Sequence, residues 1–83
     1  MRVLYFAWLR QKIGTGEETV SPPADVRTVG ALAAWLAAQS PGHAEAFADP
    51  ALIRAAVNQT HAGPDAPVEP GDEVAFFPPV TGG

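Results

Sequence analysis

The sequence predicts an α+β fold, in which one main helix packs on one face of a mixed β-sheet of four to five strands. Two observations support this prediction. Runs rich in β-branched and aromatic residues occur near both ends of the chain, and an alanine-rich segment with helical periodicity lies between them. The chain has 83 residues, 47% of them apolar and 17% charged, which is enough for a single core.

The first predicted strand is the apolar run from Val3 to Leu9, whose length suits a central strand that is covered on both faces. Glycines in the segment 13–16 then indicate a turn. Residues 17–21 alternate enough to form a second strand, and a double proline ends it. We therefore expect the two strands to form a hairpin.

The main helix is predicted to follow Thr28, because a threonine side chain can cap the free amides at a helix start. One face carries Val29, Leu32, Ala33 and Leu36 at helical spacing. The helix should run to about Ser40, where Pro41-Gly42 ends it. Trp35 lies at the edge of the apolar stripe, so we expect it at the rim of the core.

The segment 44–59 is ambiguous, because its alanines favour a helix while its later residues alternate as a strand would. Asp49-Pro50 marks a break, so we expect a short helical turn before it and a strand at about residues 53–58 after it. Residues 61–70 can hold at most one short edge strand, followed by a tight turn at Pro70-Gly71-Asp72. The last strand, residues 73–77, ends at two prolines that cannot donate to a sheet.

This order of elements is that of a ubiquitin-like β-grasp domain. We assign residues 1–77 to that domain and residues 78–83 to an extended C-terminal tail. The first and last strands carry large apolar residues on both faces, whereas one helix covers only one face. Part of the second face is therefore expected to be an exposed apolar patch that binds protein, the alternative being a well-filled core.

Charge and composition argue against several classes of function. The net charge is −4 and the five basic residues are scattered, so we expect no binding to nucleic acid. The N-terminal apolar run is too short for a membrane span and poor as a signal peptide. The lack of cysteine excludes a cysteine-borne persulfide and fits a cytoplasmic protein.

Side chains with catalytic or metal-binding chemistry are sparse. His43 and His61 lack the spacing of metal ligands, so no metal site is expected. No Ser-His-Asp order stands out in the sequence. The acidic pairs at 17–18 and 72–73 lie at predicted turns, where we expect them to be solvated.

The C-terminal segment Pro78-Pro79-Val80-Thr81-Gly82-Gly83 is the most informative part of the chain. Glycine has no Cβ, so a terminal pair can enter a slot that is too narrow for other residues. Six extended residues reach roughly 20 Å, far enough to enter the pocket of a neighbouring protein. We therefore expect the chemistry at the end of the chain, the alternative being a frayed, inert terminus.

The segment from Gly71 to Gly83 resembles the C-terminal signature of the small, sulfur-carrying subunit of molybdopterin synthase. Residues 55–60, Ala-Ala-Val-Asn-Gln-Thr, are similar to the strand that precedes this signature in that family. The opening Leu4-Tyr5-Phe6-Ala7, followed by Arg10, resembles its N-terminal strand. The resemblance therefore covers the whole chain in order.

The resemblance implies a sulfur-transfer function. In that family a ubiquitin-activating-like adenylyltransferase uses ATP to adenylate the terminal carboxylate. The carboxylate becomes a thiocarboxylate, which supplies sulfur to the cyclic pyranopterin precursor of molybdenum cofactor. The resemblance implies that Gly83 carries the sulfur and that Gly82 permits close approach. It further implies that the chain itself binds no cofactor and that the catalytic pocket lies on the large subunit, in a heterotetramer.

The same resemblance implies a set of partner-binding residues: Phe6, Arg10, Phe77, Pro78, Pro79, Val80 and Thr81. Core packing is the alternative for Phe6 and Phe77, and Arg10 can also be a plain solvated cation. At His61 the family usually has an apolar residue, which leaves the role of this position in an interface open.

Three further functions remain open. A carrier for thiamine thiazole synthesis shares the fold and the Gly-Gly end but usually lacks the Phe-Phe-Pro-Pro-Val sequence before it. A ubiquitin-like protein modifier would join Gly83 to a lysine of another protein through an isopeptide bond. The simplest of the three is a β-grasp interaction module with an inert tail.

Overall fold

The computed structural model describes residues 1–79. Its elements are β1 (Arg2–Tyr5), α1 (Trp8–Ile13), β2 (Glu17–Thr19), α2 (Val29–Ala37), α3 (Pro41–Ala46), a 3-10 turn (Pro50–Leu52), β3 (Arg54–Val57), β4 (Thr60–Ala62) and β5 (Glu73–Phe77). The five strands form one mixed sheet in the order β2-β1-β5-β3-β4. Strands β1 and β5 are parallel, and the other neighbouring pairs are antiparallel. The predicted α+β architecture is confirmed.

The core lies between one face of the sheet and helices α2 and α3. Alternate residues of the paired strands β1 and β5 point into it, so Val3, Tyr5, Val74 and Phe76 are all buried. Phe47, which follows α3, packs edge-on against Phe76 with ring centroids 5.0 Å apart. Burial of these side chains fixes which face of each central strand is turned to the core. Helix α2 adds Val29, Leu32 and Leu36 to the core.

The predicted first strand is wrong in its second half. Strand β1 ends at Tyr5, Ala7 takes a positive φ of 56°, and α1 begins at Trp8. The chain turns here because Leu9, spaced four residues from Ile13, is fully buried on the inner side of a helix. Strands β1 and β2 pair as predicted, but an α-helix rather than a tight turn joins them. Gly14, with φ 95°, ends that helix.

The prediction for the main helix is confirmed at its start, where the Thr28 hydroxyl accepts a hydrogen bond of 3.1 Å from the amide of Ala31. The helix ends at Ala37, and Pro41 begins a second helix, α3, instead of only stopping the first. The Ser40 side chain caps α3, and proline is well suited to a first helical turn. Trp35 is partly buried against the core, as predicted for a rim position.

The elements of the second half agree closely with the predictions. Strand β3 falls within the predicted segment 53–58, and the short edge strand is β4, which begins one residue earlier than predicted. The turn before β5 contains Gly71 at φ 92°, a conformation that favours glycine. The 3-10 turn between α3 and β3 was not predicted, although Asp49-Pro50 marks its beginning.

The prediction that both residues of the first acidic pair are solvated is wrong for Glu18. The register of β1 and β2 sets Glu18 opposite Val3, on the core side of the sheet. One carboxylate oxygen, Oε2, lies 2.6 Å from the Tyr5 hydroxyl and 2.6 Å from Nε2 of His43. Glu17 points to the other face and pairs with Arg2 at 2.7 Å. Alternation along a strand therefore separates two adjacent glutamates.

These contacts extend into a buried chain of hydrogen bonds. A carboxylate only accepts, so Nε2 of His43 donates to Glu18, and Nδ1 of the same ring lies 2.7 Å from the hydroxyl of Ser40. Burial raises the pKa of Glu18, but hydrogen bonds from His43 and Tyr5 lower it more, so the net pKa lies below its ordinary value. Burial and the contact with Glu18 raise the pKa of Tyr5. These hydrogen bonds connect α3 to strands β1 and β2.

We predict that Glu18→Gln lowers the free energy of unfolding by about 1–2 kcal/mol at pH 7, because the ring and hydroxyl donors lose a charged acceptor. A lowered carboxyl pKa stabilises the fold above the ordinary value of 4.5 and ceases to do so as the pH falls through the lowered pKa. The difference between wild type and variant should therefore shrink below that pH. Urea unfolding at several pH values measures it. The same substitution at exposed Glu69 is the control, and an equal difference at pH 7 and pH 3 would contradict the account.

Candidate functional site

The C-terminal tail leaves the domain from the centre of the sheet. Strand β5 lies between β1 and β3, and it is parallel to β1. The end of β5 therefore lies beside the end of β1 and the beginning of β3. Pro78 and Pro79 follow directly and are partly buried. The predicted site residues Val80, Thr81, Gly82 and Gly83 lie outside the described residues.

Phe6 lies on the surface beside the point where the tail begins. Its amide donates a 3.1 Å hydrogen bond to the carbonyl of Phe76, so the ladder between β1 and β5 continues for one more residue. Its side chain is 49% exposed, whereas the neighbouring Tyr5 is 1% exposed. Core packing is therefore wrong for Phe6, and its apolar ring is available to a partner.

The face of the sheet that the helices do not cover is apolar at its centre. Strand register aligns Leu4 with Ala75, Ala75 with Ala56, and Ala56 with His61. We call this surface, with Phe6 and Phe77 at the end nearest the tail, the open face. Its small and apolar side chains agree with the expected exposed patch.

Phe77 is partly buried on the open face and has two basic neighbours. It pairs in register with Arg54 of β3, and its ring lies edge-on to that of His61 with centroids 5.5 Å apart. Phe77 therefore belongs to the surface and not to the core between sheet and helices. His61 is exposed, so a basic ring lies within the apolar face.

Arg10 lies on α1, the helix that follows the end of β1. Its side chain runs over Gly16, where an added Cβ would lie 3.2 Å from Nε of Arg10. Within residues 1–79, no carboxylate forms a salt bridge with its guanidinium. Arg10 is an exposed cation that Gly16 allows to lie flat on the surface, and both a partner contact and simple solvation fit this position.

Residues 1–79 contain no metal site and no pocket into which several charged groups converge. No group of three or more histidine, aspartate or glutamate side chains there has the geometry to hold a metal ion. A cleft of about 800 Å³ separates α2 from β3 and β4, but Arg54 is the one titratable residue in its lining. Within the same residues, every helix is too short or too polar for a transmembrane span. The open face and tail remain the candidate site.

The family model described as the ThiS family matches residues 3–83. The chain belongs to the ThiS family. It is 52% identical to the molybdopterin synthase sulfur carrier subunit of Escherichia coli (strain K12), over 100% of this chain and 99% of that protein. It is 39% identical to the protein of the same name from Haemophilus influenzae, with the same coverage. The resemblance inferred from the sequence is confirmed.

Solved structures confirm the β-grasp assignment of this ThiS-family chain. A putative molybdopterin converting factor, subunit 1, from Pyrococcus furiosus is 31% identical, with a TM-score of 0.77 over 95% of each chain. The small archaeal modifier protein 1 of Haloferax volcanii is 25% identical, with a TM-score of 0.69 over 96% of this chain and 97% of that chain. The same fold thus occurs in proteins with two different names, a molybdopterin converting factor subunit and a protein modifier.

Sequence reasoning missed one feature of the site region and one on the core side of the sheet. One is Leu52, which is 50% exposed on the 3-10 turn beside the tail end of the sheet. The motif Asp49-Pro50 gave a usable signal for it, because aspartate before proline commonly begins a turn. The other is the buried contact between Glu18 and His43, which requires the strand register and the position of α3.

We predict that substitution by alanine has a small effect on stability at Phe6 and a large one at Phe76. Phe6→Ala should change the free energy of unfolding by less than about 1 kcal/mol, because half of the ring is already in water. Phe76→Ala should cost about 3–5 kcal/mol, because it leaves a cavity in the core. Urea unfolding followed by circular dichroism measures both. Equal losses would show that Phe6 is a core residue.

Proposed function

We propose that this chain is the sulfur carrier subunit of molybdopterin synthase, and that the carboxyl group of Gly83 carries the sulfur. The observation that supports this most is the 52% identity to the Escherichia coli protein of that name across the full length of the chain. The family match extends through residue 83, so it includes the terminal glycine pair. The lack of cysteine is consistent with action in the cytoplasm and requires the sulfur to be carried elsewhere than on a side chain.

The first step is activation of the terminal carboxylate. An α-carboxyl group has a pKa near 3.5, so at neutral pH it is an anion that resists nucleophilic attack. A ubiquitin-activating-like adenylyltransferase would join one carboxylate oxygen to the α-phosphate of ATP and release pyrophosphate. The acyl-adenylate then has AMP as a good leaving group. The nucleotide is bound by that partner and not by this chain.

The second step places sulfur on the acyl carbon. A hydrosulfide ion supplied by a partner attacks the acyl carbon of the acyl-adenylate, AMP leaves with its bonding electron pair, and loss of the sulfur-bound proton gives a thiocarboxylate. This sulfur is polarizable and ionised, and it can attack a carbon of the pterin precursor as an oxygen leaving group departs, which joins the pterin to Gly83 through a thioester. Water then attacks the acyl carbon and the acyl C–S bond breaks, so the sulfur stays on the pterin as a thiolate and the carboxylate of Gly83 is restored. The chain is therefore a recyclable donor.

The role of the folded domain is to hold this reactive end in the catalytic pocket of the large subunit. The open face docks on the partner through Phe6 and Phe77, with Arg10 at its edge. The stem of residues 78–81 then leads the glycines into a narrow pocket. Holding two reactants together in this way replaces a bimolecular encounter by an effectively intramolecular one.

A protein-modifier function is the second candidate. The observation that favours it is the similarity to small archaeal modifier protein 1, at a TM-score of 0.69. In that function an acyl-adenylate at Gly83 would pass to a lysine amine and form an isopeptide bond. A carrier for thiamine thiazole synthesis would use the same thiocarboxylate but a different acceptor enzyme.

We predict that incubation with the adenylyltransferase, ATP and a sulfide donor raises the mass of the C-terminal peptide by the exchange of one oxygen for sulfur. Deletion of Gly82 and Gly83 should abolish this change and leave the melting temperature unaltered, because the core ends at β5. Intact-mass spectrometry measures both. Sulfur transfer by the truncated chain would contradict the proposal, and conjugates of high mass would favour the modifier function.

A further inference from the structure

Two large apolar side chains are more than a third exposed in residues 1–79, and they lie on either side of the tail. Phe6 is 49% exposed and Leu52 is 50% exposed. Phe6 follows β1, whereas Leu52 ends the 3-10 turn that leads into β3. Because β5 lies between β1 and β3, the tail emerges between these two exposed residues. The open face described above contains only the first of them.

Strand register fixes this arrangement. Phe6 bonds to Phe76 of β5, and Arg54 of β3 pairs with Phe77. Leu52 is two residues before Arg54 in the chain, so it lies at the same end of the sheet. Neighbouring strands are about 4.8 Å apart, so β1 and β3 are roughly 10 Å apart with the tail between them. A partner that encloses the first residues of the tail is then close to both Phe6 and Leu52.

The exposure of Leu52 belongs to an ordered turn. The Asp49 carboxylate accepts a 3.1 Å hydrogen bond from the amide of Ala51, which caps the turn. Its backbone is closed by a 3.0 Å bond from the amide of Leu52 to the carbonyl of Asp49. Arg54 adds two bonds from Nη1, to the carbonyls of Ala51 and Ile53, at 3.2 and 3.1 Å. Little conformational entropy would therefore be lost when this turn is covered.

The distribution of charged side chains along the sheet also favours a partner at the tail end. In residues 1–79, the salt bridges include neither Arg54 nor Arg10. Arg2, at the beginning of β1, pairs with the open-face carboxylates of Glu17 and Glu73. Glu73 begins β5 at the far end of the sheet, whereas Glu17 lies opposite Leu4 and directs its carboxylate toward Arg2. In a chain whose net charge is −4, the tail end thus carries Arg10 on one flank and Arg54 on the other, and the Asp49 carboxylate on the Arg54 flank already accepts a bond from the amide of Ala51. This pattern is complementary to an acidic rim on a partner.

We infer that Leu52 and Arg54 form a second wall of the docking surface, opposite Phe6. The large subunit that receives the tail contacts both walls, with apolar surface against Leu52 and a carboxylate facing Arg54. This inference rests on the proposed function, and it adds a contact region and a partner chemistry to it. The large subunit then contacts the domain on both sides of the point where the tail leaves the sheet.

The test measures binding of the full-length chain to the purified synthase large subunit by surface plasmon resonance at low and high salt. Leu52→Ser should weaken binding roughly tenfold, as expected for a buried apolar contact. Arg54→Gln should weaken it about threefold at low salt and reduce its salt dependence. Arg27→Gln is the matched control. Arg27 is also exposed and bonds to a backbone carbonyl, but it lies beside Met1 and Pro70, at the far end of the sheet.

Phe6→Ser distinguishes a failure of the second wall from a failure of the proposed function, because it disrupts the first wall alone. Tight binding by the wild type that is lost in Phe6→Ser but kept in both Leu52→Ser and Arg54→Gln would overturn the second wall and leave the proposed function standing. No binding by the wild type would overturn both. Loss in Leu52→Ser and Arg54→Gln but not in Arg27→Gln, with unchanged melting temperatures, would support the inference.

Discussion

The parallel pairing of β1 with β5 is the constraint on which the rest of the structure depends. It brings residues from the two ends of the chain together at the centre of the sheet. It turns Tyr5 and Phe76 into the core, and by alternation it leaves Phe6 and Phe77 away from the core. Because β5 is central, the tail begins between two strands and not at an edge. One pairing therefore sets both the core and the surface that surrounds the start of the tail.

The same pairing has a polar consequence. Tyr5 is a core residue of β1, so its hydroxyl needs a buried acceptor, and Glu18 on the neighbouring strand supplies it. The carboxylate in turn needs donors, and His43 of α3 provides the second. Within residues 1–79, no buried polar side-chain atom is left without a partner. The hydrogen-bond chain thus ties a helix to the sheet.

Most of the fold could be predicted because local signals agreed with the final structure. Thr28, the alternation in β3 and the glycine of the last turn all act through nearby backbone geometry. The first strand was predicted too long, because seven consecutive apolar residues hide the change from strand to helix at Ala7. The burial of Glu18 depends on contacts between distant segments, and the place of Leu52 beside the tail depends on the strand order. Such contacts leave no periodic pattern in the sequence.

The residues of the candidate site also differ in whether the sequence alone could predict them. The terminal glycines were predicted as the site from residue type alone, and because they lie outside the described residues this assignment stays a prediction. The surface around Phe6 and Leu52 needed the strand order, since only the sheet brings these residues to one end. In the proposed function, the domain holds a reactive group that lies beyond its last strand.

The most direct measurement uses the absence of cysteine from the chain. Without a cysteine thiol, a thiol-directed alkylating reagent has one expected target, a thiocarboxylate at Gly83. The protein isolated from cells that make molybdopterin should be alkylated once, on the C-terminal peptide, and the label should disappear in cells that lack the adenylyltransferase. A chain that is never labelled in either strain would contradict the account.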